Sequence, residues 1–283
     1  MSFDHQKKIA VINDFCGFGR CSLTVSIPII SALKIQCCPL PTAVFSNHTA
    51  YDSFYCTDYT GHMEPYMAEW EKLGLEFDGI LTGYLGSVAQ VRIVKDFLNR
   101  FKKEDTRVVV DPVMGDGGHL YASYAPELAK KMKELLPYAD VLTPNLTEAC
   151  ILTDTVYKED MREEELEVLC EKLSKQGPEH IVISGLTDGS GLRNYVYERG
   201  KPPCSIAVRK IGVCRAGTGD VFSSVIAADV VNGADLVSAV KHGAEFISKV
   251  LEYTTELQVP VTDGICFEQY LSELGKGEWK YEK

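Results

Sequence analysis

The sequence predicts an α/β fold, a mostly parallel sheet with helices on both faces, and three features carry that prediction. Short runs rich in Val, Ile and Leu lack polar alternation, as strands buried on both faces do. Longer amphipathic stretches separate those runs, and strand–helix repetition at this spacing implies parallel crossover units. Hydrophobic residues make up 45% and charged residues 24% of the 283 residues, which suits a sizeable core and not a disordered chain.

Strands are expected at Lys8–Asn13, Pro39–Phe45, Gly79–Tyr84, Val108–Val113, Val141–Pro144 and His180–Ser184. Helices are expected at Ser22–Leu33, His62–Leu73, Ser87–Lys103, Pro126–Leu136 and Glu163–Gln176. The pattern then changes. Asn194–Tyr197 and Ser205–Ile211 read as an antiparallel excursion turned by Gly200-Lys201-Pro202-Pro203. Helices follow at Asp220–Val231, Leu236–Tyr253 and near Phe267–Leu274. No linker, repeat or low-complexity stretch interrupts the chain, so residues 1–283 are expected to form one domain.

The formal charge of −11 repels phosphate backbones and argues against a nucleic-acid partner. None of the ten cysteines has Cys-x-x-Cys spacing, so buried reduced thiols explain them better than zinc or a disulfide scaffold. Adjacent Cys37 and Cys38 lie in a strand-like run and are expected to face opposite ways. The polar start, Met1 to Lys8, lacks the apolar length of a signal peptide, and no segment approaches the roughly 18 apolar residues of a membrane span. A cytosolic chain is expected.

In an open parallel sheet, ligands bind beyond the carboxyl ends of the strands. The segments there are rich in Gly, Asn, Asp, Ser and Thr, Ser184–Thr187 among them. Gly217-Thr218-Gly219-Asp220 precedes an apolar helical run. Its glycines allow close backbone approach, and a helix N-terminus favours an anion. Asp220 can accept a hydroxyl proton there, or simply complement the helix dipole. Asp111 and Asp116, in Asp111-Pro112-Val113-Met114-Gly115-Asp116-Gly117-Gly118, can hold a hydrated Mg²⁺ or reflect turn chemistry. Asn145 and Glu148 have capping-box spacing and also suit phosphate and metal contacts. In Phe45-Ser46-Asn47-His48-Thr49 the polar groups can recognise ring substituents, although a lone histidine is commonly structural. Tyr84 can stack on a flat ligand or pack in the core. Gly17-Phe18-Gly19-Arg20-Cys21-Ser22 fails as a dinucleotide fingerprint, because Ser22 replaces the last glycine and no acidic residue closes the next strand.

Taken in order, Val110-Asp111-Pro112-Val113-Met114-Gly115-Asp116, Thr143-Pro144-Asn145 with Glu148, and Gly217-Thr218-Gly219-Asp220 resemble the ribokinase-like vitamin kinases. Phe45-Ser46-Asn47-His48-Thr49 and Gly83-Tyr84 look like the pyridoxal kinase branch. The resemblance spans Ile9 to about Val250. It implies a three-layer α/β/α sandwich and transfer of phosphate from ATP, with Mg²⁺, to the 5′-hydroxymethyl of a vitamin B6 vitamer. It implies Asp220 as base and Gly217, Thr218 and Gly219 as the anion hole. Asp111, Asn145 and Ser184 would serve ATP, and Asp116 and Glu148 the metal. Asn13, Asp14, Ser46, His48, Thr49 and Tyr84 would line the substrate site. Such kinases are usually homodimers, and some use K⁺.

The chain departs from that branch at Asn13 and Asp14, where pyridoxal kinases commonly carry Ser and His. Asp14 can pair with a pyridinium nitrogen or an aminomethyl group, which makes pyridoxamine a candidate substrate. Two alternatives stay open. One is hydroxymethylpyrimidine kinase, which usually has Cys where Asp220 stands. The other is a non-catalytic vitamer or nucleotide sensor on the same fold.

Overall fold

The structure is a computed structural model that describes residues 6–121, 124–189 and 191–275. Most of the polar N-terminal stretch therefore lies outside the described residues. The strands are β1 (Lys8–Phe18), β2 (Gln36–Asn47), β3 (Cys56–Asp58), β4 (Gly79–Thr82), β5 (Arg107–Val110), β6 (Gly115–Asp116), β7 (His119–Leu120), β8 (Val141–Leu142), β9 (His180–Asp188), β10 (Gly191–Glu198) and β11 (Cys204–Val208). The α-helices are α1 (Leu23–Ala32), α2 (Thr60–Lys72), α3 (Val88–Phe101), α4 (Pro126–Met132), α5 (Leu146–Leu152), α6 (Glu163–Ser174), α7 (Thr218–Val231), α8 (Leu236–Glu256) and α9 (Leu271–Leu274).

Nine strands form one sheet in the order β11-β10-β9-β8-β5-β4-β1-β2-β3, and β6 and β7 form a separate hairpin. From β9 across to β2 every pairing is parallel. β3 at one end and β10–β11 at the other are antiparallel. This is the expected α/β/α architecture of ribokinase-like type. The chain leaves β1 toward β2 on one side and returns as β4 on the other, so the strand order reverses between β1 and β4. Such a reversal opens a crevice at the carboxyl ends of the strands.

The continuous apolar runs have a simple cause. Ala10, Ile12, Ile80, Val108 and Val110 point to one face, where they meet buried residues of α2 to α6. Ile9, Val11, Leu81 and Val109 point to the other, against α1, α7 and α8. Alternation along a strand thus fills two cores at once. Cys38 packs against the first core and Cys37 against the second, as expected for adjacent strand residues. α7 is apolar nearly all round because it is sandwiched between the sheet and α1 and α8. Truncating its fully buried Ile226 to Ala is expected to cost about 2–5 kcal/mol.

Several expected boundaries move. β1 continues past Asn13 because β2 continues beside it, pairing Phe15 with Val44, Cys16 with Phe45 and Phe18 with Asn47 after a register shift. β5 stops at Val110, ahead of Pro112, which has no N–H to give a ladder. The helix expected at Pro126–Leu136 ends at Met132 and tightens into a 3-10 turn over Lys133–Tyr138 that contains Pro137. The last helix shortens to Leu271–Leu274 behind a 3-10 turn at Glu268–Tyr270. β3 and the β6–β7 hairpin carry no apolar run and were not expected. The thiols are all free, yet Cys56 and Cys214 are exposed, contrary to the expectation of burial. Among the described residues no helix is long and apolar enough to cross a membrane.

Candidate active site

Asp220 lies in the first turn of α7, at the mouth of the crevice. The helix begins two residues earlier than expected because Gly217 caps it with φ 82°, a left-handed conformation that favours glycine. A Cβ at Gly217 would stand 2.0 Å from the Arg20 carbonyl oxygen. The Thr218 hydroxyl donates to the Arg215 carbonyl at 3.1 Å. The Arg215 guanidinium is buried and donates to the carbonyls of Pro260 and Val259 at 2.9 and 3.1 Å. The glycine turn is therefore fixed from both sides. The backbone N–H groups of a first helical turn lack intrahelical partners and face an incoming anion.

Asn13 connects this turn to the reversal point. Its side-chain amide donates to Asp220 Oδ1 at 3.1 Å. Its Oδ1 accepts the backbone N–H of Asp14 at 2.9 Å and of Tyr84 at 2.8 Å. One buried side chain thus ties β1, the end of β4 and α7 together. Gly83 makes room for it, since a Cβ there would lie 2.5 Å from the Asn13 amide carbon. Burial raises the Asp220 pKa, while the Ser22 backbone N–H, the Asn13 amide and its own N–H hold it down. The balance leaves the Asp220 pKa above its ordinary value.

Asp14 is buried beside it. Burial is the main cause that lifts its pKa to about 6, and Asp220 raises it further, while hydrogen bonds from Ser22 and Cys16 oppose the rise. The Cys16 thiol sits 3.6 Å from Asp14 Oδ2. Cys16, Cys21, Ala43 and Phe45 form a small apolar cluster against which Tyr84 packs. Tyr84 meets Phe45 edge-on at 6.1 Å. Its carbonyl accepts from the Thr42 hydroxyl at 2.9 Å, and buried Gln90 holds the following Gly86 N–H at 2.7 Å. These contacts fix an aromatic wall next to an acidic group.

The acidic positions divide. Asp111 is drawn well above the usual carboxylate range by burial, then by Glu148 and Asp220. Glu148 is buried, which raises its pKa to about 8, although its oxygens accept the N–H groups of Met114 at 3.0 Å and Asn145 at 2.9 Å. Asn145 completes the capping box by accepting the Glu148 N–H at 2.9 Å, and its amide holds the Gly115 carbonyl at 2.8 Å. Both residues are thus committed to shaping the turn between β5 and β6. Asp116 is exposed on that turn. Among the described residues no three His, Cys, Asp or Glu side chains converge to hold a metal ion unaided. Ser184 lies inside β9, which continues to Asp188 because β10 pairs beside it and does not end at Ser184 as expected; its N–H donates to the Pro144 carbonyl at 3.0 Å, bridging to Asn145.

The Ser46-to-Thr49 segment is more structural than expected. The Ser46 hydroxyl bonds Asn47 Oδ1 at 2.7 Å and accepts the Tyr55 N–H at 2.9 Å. His48 Nε2 meets the Thr262 carbonyl at 2.6 Å, and its Nδ1 accepts the Ala50 N–H at 3.3 Å. Both ring nitrogens are engaged with backbone. Thr49 is exposed. Asn13, Asp14, Tyr84, Asp111 and Asp220 are brought together, whereas Ser46 and His48 brace the loop around them. Sequence reasoning missed Ser22, Gln90 and Arg215. Only Ser22 carried a signal, as the non-glycine in an otherwise glycine-rich strap. A separate cleft of about 330 Å³ near Gly118, Thr147 and Tyr157 does not include Asp220.

Sheet order, reversal point and glycine turn are those of the ribokinase-like class. Within that class the chain belongs to the phosphomethylpyrimidine kinase family, whose model matches residues 63–262. A Bacteroides thetaiotaomicron protein described as a phosphomethylpyrimidine kinase and crystallised with pyridoxal superposes with a TM-score of 0.92. It is 41% identical, over 95% of this chain and 96% of that one. The pyridoxal kinase of Arabidopsis thaliana is 33% identical over 66% of this chain. The bifunctional thiamine-biosynthetic enzyme TH1 of the same plant is 32% identical over 65% of it. The chain spans only 62% and 35% of the lengths of these two relatives. The resemblance to pyridoxal kinases drawn from the sequence is borne out by these matches.

Proposed function

We propose that this chain phosphorylates the 5′-hydroxymethyl group of a B6 vitamer with ATP, acting as one domain with Asp220 as the general base. The observation that carries the reading is the Asp220 carboxylate in the first turn of α7, held by the Asn13 amide at 3.1 Å beside the strand reversal. Phosphoryl transfer asks a protein mainly to position the reactants and to stabilise charge. Asp220 takes the hydroxyl proton as the hydroxyl oxygen bonds the γ-phosphorus and the bond from that phosphorus to the bridging oxygen breaks, releasing ADP. The N–H groups of Gly217, Thr218 and Gly219 face the transferring group's charge. Asn145 and Ser184, bridged to each other, would flank the phosphates from the side of β8 and β9.

The donor set fits Mg²⁺. This ion keeps water and phosphate ligands and needs only one or two carboxylates, so a complete protein cage is not required. Asp111 and Asp116 would hold it, with Glu148 acting through water. Crowding of Asp111, Glu148 and Asp220 in a buried patch is the electrostatic strain that a cation relieves. Bound there, Mg²⁺ would neutralise charge on the phosphates. In some family members K⁺ is a further cation, and its omission from the assay tests that here.

For the substrate, Tyr84 and Phe45 offer an aromatic wall and Asp14 an acid next to it, which suits a pyridinium or an aminomethyl group. The 41% identical relative crystallised with pyridoxal supports a pyridine-ring substrate. We place the enzyme in the cytosol as a homodimer, the exposed Val44, Phe54 and Tyr55 beside edge strand β3 being the surface for pairing. Sedimentation tests the dimer. The second reading, a hydroxymethylpyrimidine kinase, is favoured by the family model's own description. Purified protein with ATP-Mg²⁺ and a panel of pyridoxal, pyridoxine, pyridoxamine and hydroxymethylpyrimidine decides. ADP release with a vitamer is the expected result. Release only with hydroxymethylpyrimidine would transfer the assignment, and no release with any of them would leave a binder.

A further inference from the structure

Gln90 stands in the first turn of α3, and its side chain is fully buried. A buried amide is costly unless its donors and its acceptor find partners. Gln90 finds them on separate segments of the chain. Its Oε1 accepts the Gly86 N–H at 2.7 Å, in the loop after β4. Its Nε2 donates to the Thr42 carbonyl on β2 at 2.7 Å. The same nitrogen lies 3.1 Å from Asp58 Oδ1 at the end of β3 and 2.9 Å from the Thr60 hydroxyl at the start of α2. The Thr60 hydroxyl donates in turn to Asp58 Oδ1 at 2.7 Å, which closes the network.

The aromatic side chains of the ring site hang from these same segments. The Tyr84 N–H is held by Asn13 at 2.8 Å and its carbonyl by the Thr42 hydroxyl at 2.9 Å. The Tyr84 ring folds back over Gly86, where a Cβ would meet the phenol oxygen at 3.5 Å and Gln90 Oε1 at 3.7 Å. The ring therefore rests on a peptide that Gln90 holds. β3, whose end Gln90 also holds, pairs Cys56 with Phe45 and Thr57 with Val44. The chain entering β3 carries Phe54, whose ring lies 5.9 Å from that of Phe45. Phe45 thus meets two rings, Tyr84 on the loop after β4 and Phe54 ahead of β3, and the Gln90 amide is bonded to both supports.

We propose that Gln90 is a positioning residue for the substrate ring, its one amide fixing the spacing between the Tyr84 loop and β3 and so the fit of the slot to a flat heteroaromatic ring. Gln90 is closed off from solvent and acts through Tyr84, not by touching substrate. This role rests on the reading of the site as a kinase for a ring-bearing alcohol. An amide is the group the place requires, because it donates and accepts at once. A carboxylate would face the Asp58 carboxylate and the Thr42 carbonyl, and an apolar side chain would leave the Gly86 N–H without its partner.

Gln90→Met keeps the volume and removes the amide. Its KM for the ring substrate should rise about tenfold, with kcat and the KM for ATP within about twofold of the parent, because the bonds lost lie under Tyr84 and not at the phosphates. Thr42→Val is the milder companion should Gln90→Met fold poorly. It removes only the hydroxyl that holds the Tyr84 carbonyl, and should raise the same KM by about threefold. A double-mutant cycle with Tyr84→Ala reads what a merely structural role would not move. In the Tyr84→Ala background, Gln90→Met should add less than about twofold to the KM, since both changes act on one contact. Parental KM in folded Gln90→Met and Thr42→Val proteins overturns the proposal, as do a loss that only tracks the folded fraction and KM effects that multiply in the double variant. Parental protein that releases no ADP with any vitamer or with hydroxymethylpyrimidine would end the kinase reading and this role with it, whereas parental KM in active variants ends this role alone.

Discussion

The Asn13 side-chain amide lies 3.1 Å from Asp220 Oδ1, and its oxygen accepts two backbone N–H groups from opposite sides of the strand reversal. Asn13 thus converts sheet topology into the orientation of a carboxylate. Removing it by Asn13→Ala would leave the Asp14 and Tyr84 N–H groups without a partner, at about 1–3 kcal/mol for each buried donor. Denaturant unfolding should show that loss. Asn13→Asp should be worse for catalysis than for folding, since it places a second carboxylate against the base and raises the pH needed to ionise it. A pH–rate profile measures the displacement.

Asp220→Asn retains the shape and the donors to the side chain and removes only the proton acceptor. Turnover should fall by about 10²–10⁴, with ATP affinity unchanged in a calorimetric titration. Near-parental turnover would mean that the residue does no more than complement the helix dipole.

Asp14 gives a stability prediction whose sign follows from its direction of shift. Its pKa is raised in the folded protein, from 3.8 to about 6, so the folded state binds more protons than the unfolded state between those values. Stability from this group is therefore highest below pH 3.8, falls as pH rises, and is fully lost above about 6. At about 1.36 kcal/mol per pKa unit the loss is about 3 kcal/mol. Asp14→Asn should be the more stable protein at pH 7 and should close the gap by pH 4. Unfolding curves at those two pH values, without ligand, check it. A variant no more stable at pH 7 would show that Asp14 is ionised there at no cost.

The parts of this protein that a sequence reader can see are those written in local chemistry. Runs such as Ile9-Ala10-Val11-Ile12 announce buried strands because both faces need apolar residues, and Asn145 with Glu148 announces a capping box because the spacing alone makes one. The extension of β1 to Phe18 was not legible, because it depends on β2 lying alongside and not on any preference in Asp14-Phe15-Cys16-Gly17. His48 has the composition of a ligand-binding residue, but its two nitrogens are taken by Thr262 and Ala50, one of them more than 200 positions away. Ser22 takes a positive φ of 57° in the strap ahead of α1, a conformation that residue identity does not encode.

Gly217 and Gly219 bracket Thr218, and the structure assigns them different duties. At Gly217 the positive φ and the Arg20 carbonyl exclude any side chain, so Gly217→Ala should lose stability and activity together. At Gly219 nothing stands within 4 Å of an added Cβ, and the residue is helical. Gly219→Ala should therefore raise stability by about 0.5–1 kcal/mol, since alanine restricts the unfolded chain and favours the helix. If the open space at Gly219 is where the transferring phosphoryl group approaches the backbone, the same methyl should lower kcat by at least about tenfold, the scale on which one oxyanion donor acts. Thermal unfolding and steady-state kinetics on the one variant read both effects. More stable but inactive protein would locate the phosphoryl group at the α7 N-terminus, whereas more stable and fully active protein would move it away from Gly219.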